Sequence, residues 1–222
     1  TVMDQTQHVW RGFVRLEDEP WLRGHKVGDT VLLPGAGMIS MAIEAGHQLI
    51  ETGKTAHAYR LRDVSFFAAM ALPEETATEV IITMRPHLLG TAGQSASSWW
   101  EFTISSSIGT DQVRDNCRGL LTIDYKEGRS KQMAYEDASI VSSRIADYHR
   151  VLKECQAEAY SDKGFYQHLA KLGFQYGEDF QNIRNIHPGP GKATFGVRIS
   201  DLGETFSKGQ MLSLIHISER AG

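Results

Sequence analysis

Apolar positions recur with helical spacing in one segment near the start of the chain, and this predicts a helix from Met38 to about Glu51. The positions on its main apolar face are Met38, Ala42, Ala45 and Leu49. Ile39, Ile43 and Ile50 widen that face and leave only a narrow polar side. We therefore expect the helix to be largely enclosed by the rest of its domain.

Alternating apolar and polar residues predict five strands around this helix. They are residues 8–15, 59–67, 79–85, 99–105 and 117–125. Antiparallel strands with one long buried helix give an α+β arrangement, and a sheet wrapped around a single helix is the hot-dog fold. The sequence thus predicts a complete N-terminal hot dog over residues 1–126.

The second half is more polar, and residues 127–143 lack a clear period, so we interpret them as a linker. Helices are predicted at 144–158 and 165–172, followed by strands at 180–186 and 192–199 that a turn joins at 187–191. This order begins a second copy of the same fold. Residues 144–222 are predicted to be a partial C-terminal hot dog.

Composition narrows the class of protein. With 222 residues, 41% hydrophobic and 23% charged, the chain is long and apolar enough to build a core. The net charge of −4 argues against nucleic-acid binding. No apolar run reaches the ~20 residues of a membrane span. Two cysteines without a CxxC motif favour a reducing, cytoplasmic location. Histidine spacing predicts no metal site. The chain starts without Met and stops within a pattern, so we expect a piece of a longer protein.

One segment has a layout suited to chemistry: His25 lies nine residues before Pro34, which leads through Gly35 into the apolar helix. The N-terminus of a helix presents unpaired N–H groups that can hold a carbonyl oxygen as it gains negative charge. A histidine, with an unperturbed pKa of about 6.5, could remove the proton α to that carbonyl. The spacing between His25 and Pro34 fits equally a histidine that lies on the surface, in a turn before a core helix, and has no catalytic role. His47, Gln48 and Glu51 are interpreted as a solvated helix face.

Several ordered motifs resemble those of polyketide synthase dehydratase domains. Residues 21–37 resemble the HxxxGxxxxP region, and 34–46 (PGAGMISMAIEAG) are similar to the fungal, highly reducing type. Further matches are the DVSF strand at 62–66, later strands at 100–106 and 117–120, and LGxxYGPxFQ at 172–181. The resemblance covers roughly residues 5–200.

The resemblance implies a double hot dog that dehydrates a β-hydroxyacyl chain to the trans-α,β-enoyl product. The acyl chain is carried as a phosphopantetheine thioester on an acyl carrier protein, and the domain needs no cofactor of its own. By motif match, His25 is the general base, an Asp of the second hot dog is the acid, and Tyr176 lies near the substrate hydroxyl. The predicted substrate-binding residues are Gly28, Pro34, Gly35, Tyr176 and Gly177.

The sequence departs from the family at three places. Asp29 stands where the motif has Gly, and Glu178 where it usually has Pro. The HPxxLD acid motif is missing: His216 falls near the place of its histidine, but Ile217 replaces the proline and no Asp follows. From Leu212 the sequence reads unlike the family, and we expect this tail to be non-native. The chain alone is accordingly predicted to be inactive.

Two other functions remain open. The first is a non-catalytic structural or dimerisation piece of a synthase that lacks the acid. The second is a stand-alone acyl-thioester hydrolase, which the linker and the YGxxF segment disfavour. Expected partners are the acyl carrier protein, the other synthase domains and a second copy in the parent, with no nucleic acid or membrane. A basic patch is predicted to dock the carrier, formed by Arg11, Arg15, Arg23 and Lys26.

Overall fold

The computed structural model describes residues 7–87, 99–126 and 131–198. These residues form two compact units. Within the described part, the first unit contains 7–23 and the residues from 30 to 126, and the second contains 24–29 and 131–198. No helix in these described ranges combines the length and the apolar character needed to cross a bilayer.

A five-stranded antiparallel sheet forms the frame of the first unit. Its strands are β1 (His8–Val14), β4 (Ala56–Phe66), β5 (Thr78–Pro86), β6 (Trp99–Ile108) and β7 (Arg114–Tyr125), and a short β3 (Thr30–Val31) precedes the helix. The order across the sheet is β1-β5-β6-β7-β4. The five strands predicted from alternation are confirmed, with ends that differ by up to three residues.

Helix α1 (Gly35–Gln48) packs against four strands of this sheet, β4 to β7. Its buried residues are Met38, Met41, Ala42, Ala45 and Gly46. They meet inward-facing strand residues such as Phe102, Ile104 and Leu121, none of which is exposed. The predicted enclosure of the helix is confirmed, because α1 packs on four strands of one sheet, the arrangement expected of a hot-dog fold. The helix starts three residues before Met38 and ends three before Glu51.

Gly46 marks the closest approach of α1 to the sheet, and its replacement is expected to be costly. A Cβ built at Gly46 would lie 2.7 Å from Cδ2 of Leu121, which is fully buried. Gly46→Ala should lower the free energy of unfolding by about 1–3 kcal/mol through overpacking, although alanine favours helix. Urea denaturation measures the effect.

Gly37 in the first turn of α1 provides the matched control for this prediction. A Cβ there would lie 3.4 Å from the side chain of Leu33, an ordinary contact. Gly37→Ala should therefore leave stability unchanged or raise it by up to about 1 kcal/mol. Equal stability of the two variants would contradict the close packing of Gly46 on Leu121.

Within the described residues, the second unit contains two α-helices and four short strands, which form two pairs. They are β2 (His25–Val27), α2 (Lys131–Glu154), α3 (Asp162–Lys171), β8 (Phe174–Tyr176), β9 (Ile183–Gly189) and β10 (Lys192–Val197). Strand β2 pairs with β8, and β9 and β10 form an antiparallel hairpin. Ser161 caps α3, because its hydroxyl accepts a hydrogen bond from the Gly164 N–H at 3.3 Å.

Helix α2 corrects one prediction, because it begins at Lys131 inside the segment interpreted as a linker, not at Arg144. Its apolar residues Val141, Ile145 and Tyr148 have helical spacing but are separated by many polar residues. All three are more than half exposed. A helix with so little buried surface leaves only a weak apolar period in the sequence, and for this reason the pattern missed its first part. The tail from Leu212 lies outside the described residues.

Candidate active site

His25 is held in the second unit by the short pairing of β2 with β8. It stands opposite Tyr176 in the antiparallel register and is half-buried. The imidazole lies close to two aromatic rings, with centroid distances of 5.5 Å to Tyr176 and 5.2 Å to Phe180. Both rings are tilted against the imidazole. This packing restricts the orientation of the side chain while leaving part of it accessible.

Two glycines allow the strands that carry His25 and Tyr176 to approach closely. The Gly177 N–H donates to the Gly24 carbonyl oxygen at 2.7 Å. A Cβ on Gly177 would lie 2.9 Å from the Gly24 Cα, and one on Gly24 would lie 3.2 Å from the Phe180 ring. Side chains at either position would push apart the backbone segments next to His25 and Tyr176.

The other end of the β2–β8 pair is closed by two glycines in turns. The Gly28 N–H donates to the Gly173 carbonyl oxygen at 2.8 Å. Both residues have positive φ, +59° at Gly28 and +93° at Gly173, which glycine adopts without strain. The neighbouring Asp29 is exposed. Gly28 thus has a structural role in the turn that follows His25.

Tyr176 is supported by contacts inside the second unit. Its ring meets that of Tyr166 edge-on at 6.4 Å, and the Tyr166 hydroxyl accepts a hydrogen bond from the Ile183 N–H at 2.9 Å. The Gln181 side-chain amide donates to the Tyr176 carbonyl oxygen at 2.6 Å. Glu178, where the family usually has Pro, begins the short 3-10 turn that carries Phe180. The substitution is compatible with this turn.

Pro34 and Gly35, the other predicted substrate-binding residues, form the start of α1 in the first unit. Pro34 is the N-cap residue, and its carbonyl oxygen accepts from the Gly37 N–H at 2.8 Å. The first N–H groups of a helix have no partner within the helix and carry a partial positive charge. The start of α1 therefore offers donors suited to an oxyanion.

The structure groups the predicted residues by unit. His25, Gly28, Tyr176 and Gly177 lie on the β2–β8 pair, whereas Pro34 and Gly35 lie at the start of α1. Sequence reasoning missed Gly24 and Phe180, which hold His25 in place. A signal was present, because Gly24 directly precedes His25 and Phe180 closes the YGxxF match.

A second polar cluster lies at the end of α1. His47 and Gln48 are exposed as expected, but each also makes a hydrogen bond: the His47 Nδ1 with the Tyr59 hydroxyl, and the Gln48 Oε1 with the Trp10 indole N–H at 2.9 Å. Burial, and then the charge of Glu44, raise the pKa of Tyr59. A shallow groove of about 470 Å³ is lined by His47, Tyr59, Glu44 and Ile43. The bonds attach the end of α1 to the sheet.

The two cysteines and the potential metal ligands are further candidates for chemistry. Cys117 and Cys155 are free and buried, and burial raises the pKa of the Cys117 thiol, which disfavours a nucleophilic role. Across residues 7–87, 99–126 and 131–198, no three His, Cys, Asp or Glu side chains gather in a way that could hold a metal ion.

Two family models match the chain on either side of its middle. The polyketide synthase dehydratase domain matches residues 1–107, and the polyketide synthase dehydratase N-terminal domain matches residues 146–216. The chain belongs to the polyketide synthase dehydratase family. The resemblance drawn from the HxxxGxxxxP and LGxxYGPxFQ motifs is thereby confirmed.

Curated relatives point to the highly reducing type. The chain is 60% identical over 209 residues to the highly reducing polyketide synthase ZEA2 of Gibberella zeae, covering 94% of the chain and 9% of the relative. It is 56% identical over 211 residues to the reducing polyketide synthase hmp8 of Hypomyces subiculosus, covering 95% and 9%. The chain thus spans about a tenth of the length of the relatives it matches.

Solved structures establish the fold. The dehydratase domain from the CurF module of curacin polyketide synthase superposes with a TM-score of 0.68 at 20% identity, covering 93% of the chain and 66% of that domain's chain. The dehydratase domain from the CurK module gives 0.67 at 19% identity, covering 95% and 64%. The α+β hot-dog prediction is confirmed.

Proposed function

We propose that this chain carries the general base of a dehydratase that converts a β-hydroxyacyl thioester into the α,β-enoyl thioester during polyketide chain reduction. The observation that supports it best is the placement of His25, which the family motif marks as the base and whose imidazole packs near the rings of Tyr176 and Phe180. A histidine with a fixed orientation and partial exposure can accept a proton at a defined position.

The proposed reaction is a syn or anti elimination of water that needs a base and an acid. His25 takes the proton from C2, the electrons of that bond form the C2–C3 double bond, and the C3–O bond breaks. The leaving hydroxyl takes a proton from the acid and departs as water. As charge grows on the thioester oxygen, the backbone N–H groups of Gly35 and Ala36 at the start of α1 are the donors proposed to stabilise it.

The remaining motif residues take supporting roles in this proposal. Tyr176 is proposed to lie near the substrate hydroxyl. Gly28 is proposed to leave the backbone next to His25 open to the substrate, and Gly177 to allow the close approach of the Tyr176 and His25 strands. Gly28 has empty space around its α-carbon, since a Cβ there would meet nothing within 4 Å. This room favours access of the thioester despite the Asp29 side chain that replaces the family glycine.

The substrate is proposed to arrive on the phosphopantetheine arm of an acyl carrier protein, and the elimination itself requires no metal or redox cofactor. Other domains of the synthase, and a second copy of it, are the further proposed partners. A cytoplasmic location is consistent with two free, buried cysteines.

Conversion of a 3-hydroxyacyl pantetheine thioester by the full synthase tests the proposal. Formation of the conjugated enoyl thioester, followed by its ultraviolet absorbance and by mass spectrometry, is the expected result. No enoyl product from any 3-hydroxyacyl chain would contradict the proposed function.

The 222-residue chain on its own is proposed to be inactive, because its sequence has no HPxxLD acid motif. The competing function is a structural dehydratase-like piece of a synthase. The two differ in the full synthase: a catalytic role requires that enoyl formation depends on His25, whereas a structural role does not.

Docking of the carrier is proposed to use the basic patch of Arg11, Arg15, Arg23 and Lys26. Three of these side chains already pair with carboxylates in the first unit: Arg11 with Glu79, Arg15 with Asp18 and Glu17, and Arg23 with Glu74 at 2.9 Å. The pairs lower the positive charge available to an acidic partner, so the attraction is expected to be modest and salt-dependent.

Charge reversal at Arg23 and Lys26 together should weaken binding of the carrier protein by about 3–10-fold at low salt, mainly through slower association. Glu74→Gln, which frees Arg23 from its carboxylate, should change affinity in the opposite direction. Surface plasmon resonance at two salt concentrations measures both. Unchanged affinity in both variants at low salt would exclude this patch.

A further inference from the structure

Phe66, at the end of β4, lies directly against the start of α1. A Cβ built at Gly35 would be 3.2 Å from both Cε1 and Cζ of the Phe66 ring. The ring therefore covers the first residue of the helix whose N–H groups are proposed to hold the thioester oxygen. Yet 53% of Phe66 is exposed. The ring is therefore in contact with the helix end on one side and open on the other.

The backbone of β4 directs Phe66 to this position. Asp63 has a φ of +53°, and the register with β7 shifts between Arg62 and Ser65, which marks a bulge. Beyond it, Phe66 pairs with Cys117. Bulges commonly change the direction of a side chain next to a binding site.

The segment after Phe66 is fixed by Asn116, which is only 1% exposed. The Phe67 N–H donates to the Asn116 carbonyl oxygen at 2.8 Å. The Asn116 side-chain amide in turn donates to the carbonyl oxygens of Ala68 and Ala69, each at 3.3 Å. These bonds hold the backbone on the C-terminal side of Phe66, so the ring position depends little on what its open side contacts.

We propose that Phe66 is a specificity-determining residue that limits the size of the substituent at C2 of the acyl thioester. The inference rests on the proposed function, since it takes the start of α1 as the site of the thioester oxygen. An oxygen hydrogen-bonded to an N–H of the first turn lies about 2.9 Å from that nitrogen. C2 is bonded to the same carbonyl carbon, so its substituent lies within reach of a ring that contacts Gly35. The ring leaves room for hydrogen and disfavours methyl.

The test compares two substrates in the full synthase, a 3-hydroxyacyl pantetheine thioester and its 2-methyl analogue. Phe66→Ala should raise the kcat/KM ratio of the 2-methyl over the unsubstituted substrate by about 10-fold, the lower range of what one methyl group contributes in a pocket. Phe66→Leu should shift the ratio in the same direction by less. If Phe66→Ala folds poorly, Phe66→Leu still tests the proposal.

Phe67 supplies the matched control, because it is the adjacent residue with the same side chain and is 60% exposed, with its ring near Arg118 at 5.8 Å. Phe67→Ala should leave the substrate ratio unchanged. An unchanged ratio in both Phe66 variants, or an equal change in Phe67→Ala, would overturn the assignment.

A binding measurement separates this inference from the proposed function. Saturated acyl and 2-methylacyl pantetheine thioesters, which lack the hydroxyl, can bind without reacting. Calorimetry should show that Phe66→Ala improves the Kd of the 2-methyl thioester relative to the unbranched one. This ratio supports or overturns the role of Phe66 even if the synthase dehydrates neither hydroxylated substrate, a result that would contradict the function instead.

Discussion

Replacing His25 with alanine in the full synthase is expected to lower the rate of dehydration by about 10²–10⁴-fold, the contribution typical of a positioned acid or base. The loss should be specific to this step, because His25 is proposed to act as the base in dehydration alone. Stability should change little, since His25 is half-buried on a three-residue strand and belongs to no core cluster. Single-turnover conversion of a 3-hydroxyacyl thioester measures the rate.

His57 offers a control of the same residue type. It is exposed near the start of β4 and is not among the residues assigned to the site. His57→Ala should retain the parental rate, and both variants should show the same thermal unfolding midpoint within about 2 °C. Parental activity in His25→Ala would remove His25 from the mechanism and favour a structural role for the chain.

Much of the first unit could be predicted from sequence because its elements face one core. Strand β5 buries one of its two faces, so the buried Val80, Ile82 and Met84 alternate with less buried residues. Helix α1 is enclosed on most sides, and its apolar face is wide enough to recognise. Patterns of this kind arise where burial selects residues at a fixed period.

The second unit could be predicted less well because fewer of its residues are buried. Most apolar residues of α2 remain exposed, so its first part resembled a linker. Strands β2 and β8 have three residues each, too few to show alternation. Their pairing joins residues far apart in the chain, and periodicity within one segment carries no information on such a contact.

The candidate site shows the same two limits of sequence patterns, namely few buried residues and pairing between distant segments. The motifs identified His25 and Tyr176 individually. They do not show that the two residues stand opposite each other on paired strands, which the backbone contacts of the structure establish. Gly24 and Gly177 determine how closely these strands approach, and a glycine leaves no apolar signal. The bulge at Asp63, which directs Phe66 toward Gly35, depends on a single positive φ that the DVSF motif does not reveal.

Gly177 therefore offers a test of whether the approach of β2 and β8 positions His25, the proposed general base. A Cβ at Gly177 would lie 2.9 Å from the Gly24 Cα, and a backbone atom cannot move aside by changing rotamer. Gly177→Ala should displace the segment before His25 by several tenths of an ångström. We expect a fall in kcat of about 10–100-fold, because small misplacements of a reacting group are costly, and a loss of about 1–3 kcal/mol in stability.

Gly164→Ala separates positioning from general destabilisation within the same unit. Gly164 lies in α3, where a Cβ would meet Ser161 and Tyr160 at 3.6 Å, an ordinary contact, so the variant should keep full activity and gain up to about 1 kcal/mol. Measuring kcat well below the unfolding transition of each variant removes the contribution of unfolded protein. If Gly177→Ala then turns over at the parental rate, the close approach at Gly24 serves only stability. If kcat falls while the protein remains folded, His25 requires this spacing to act as a base.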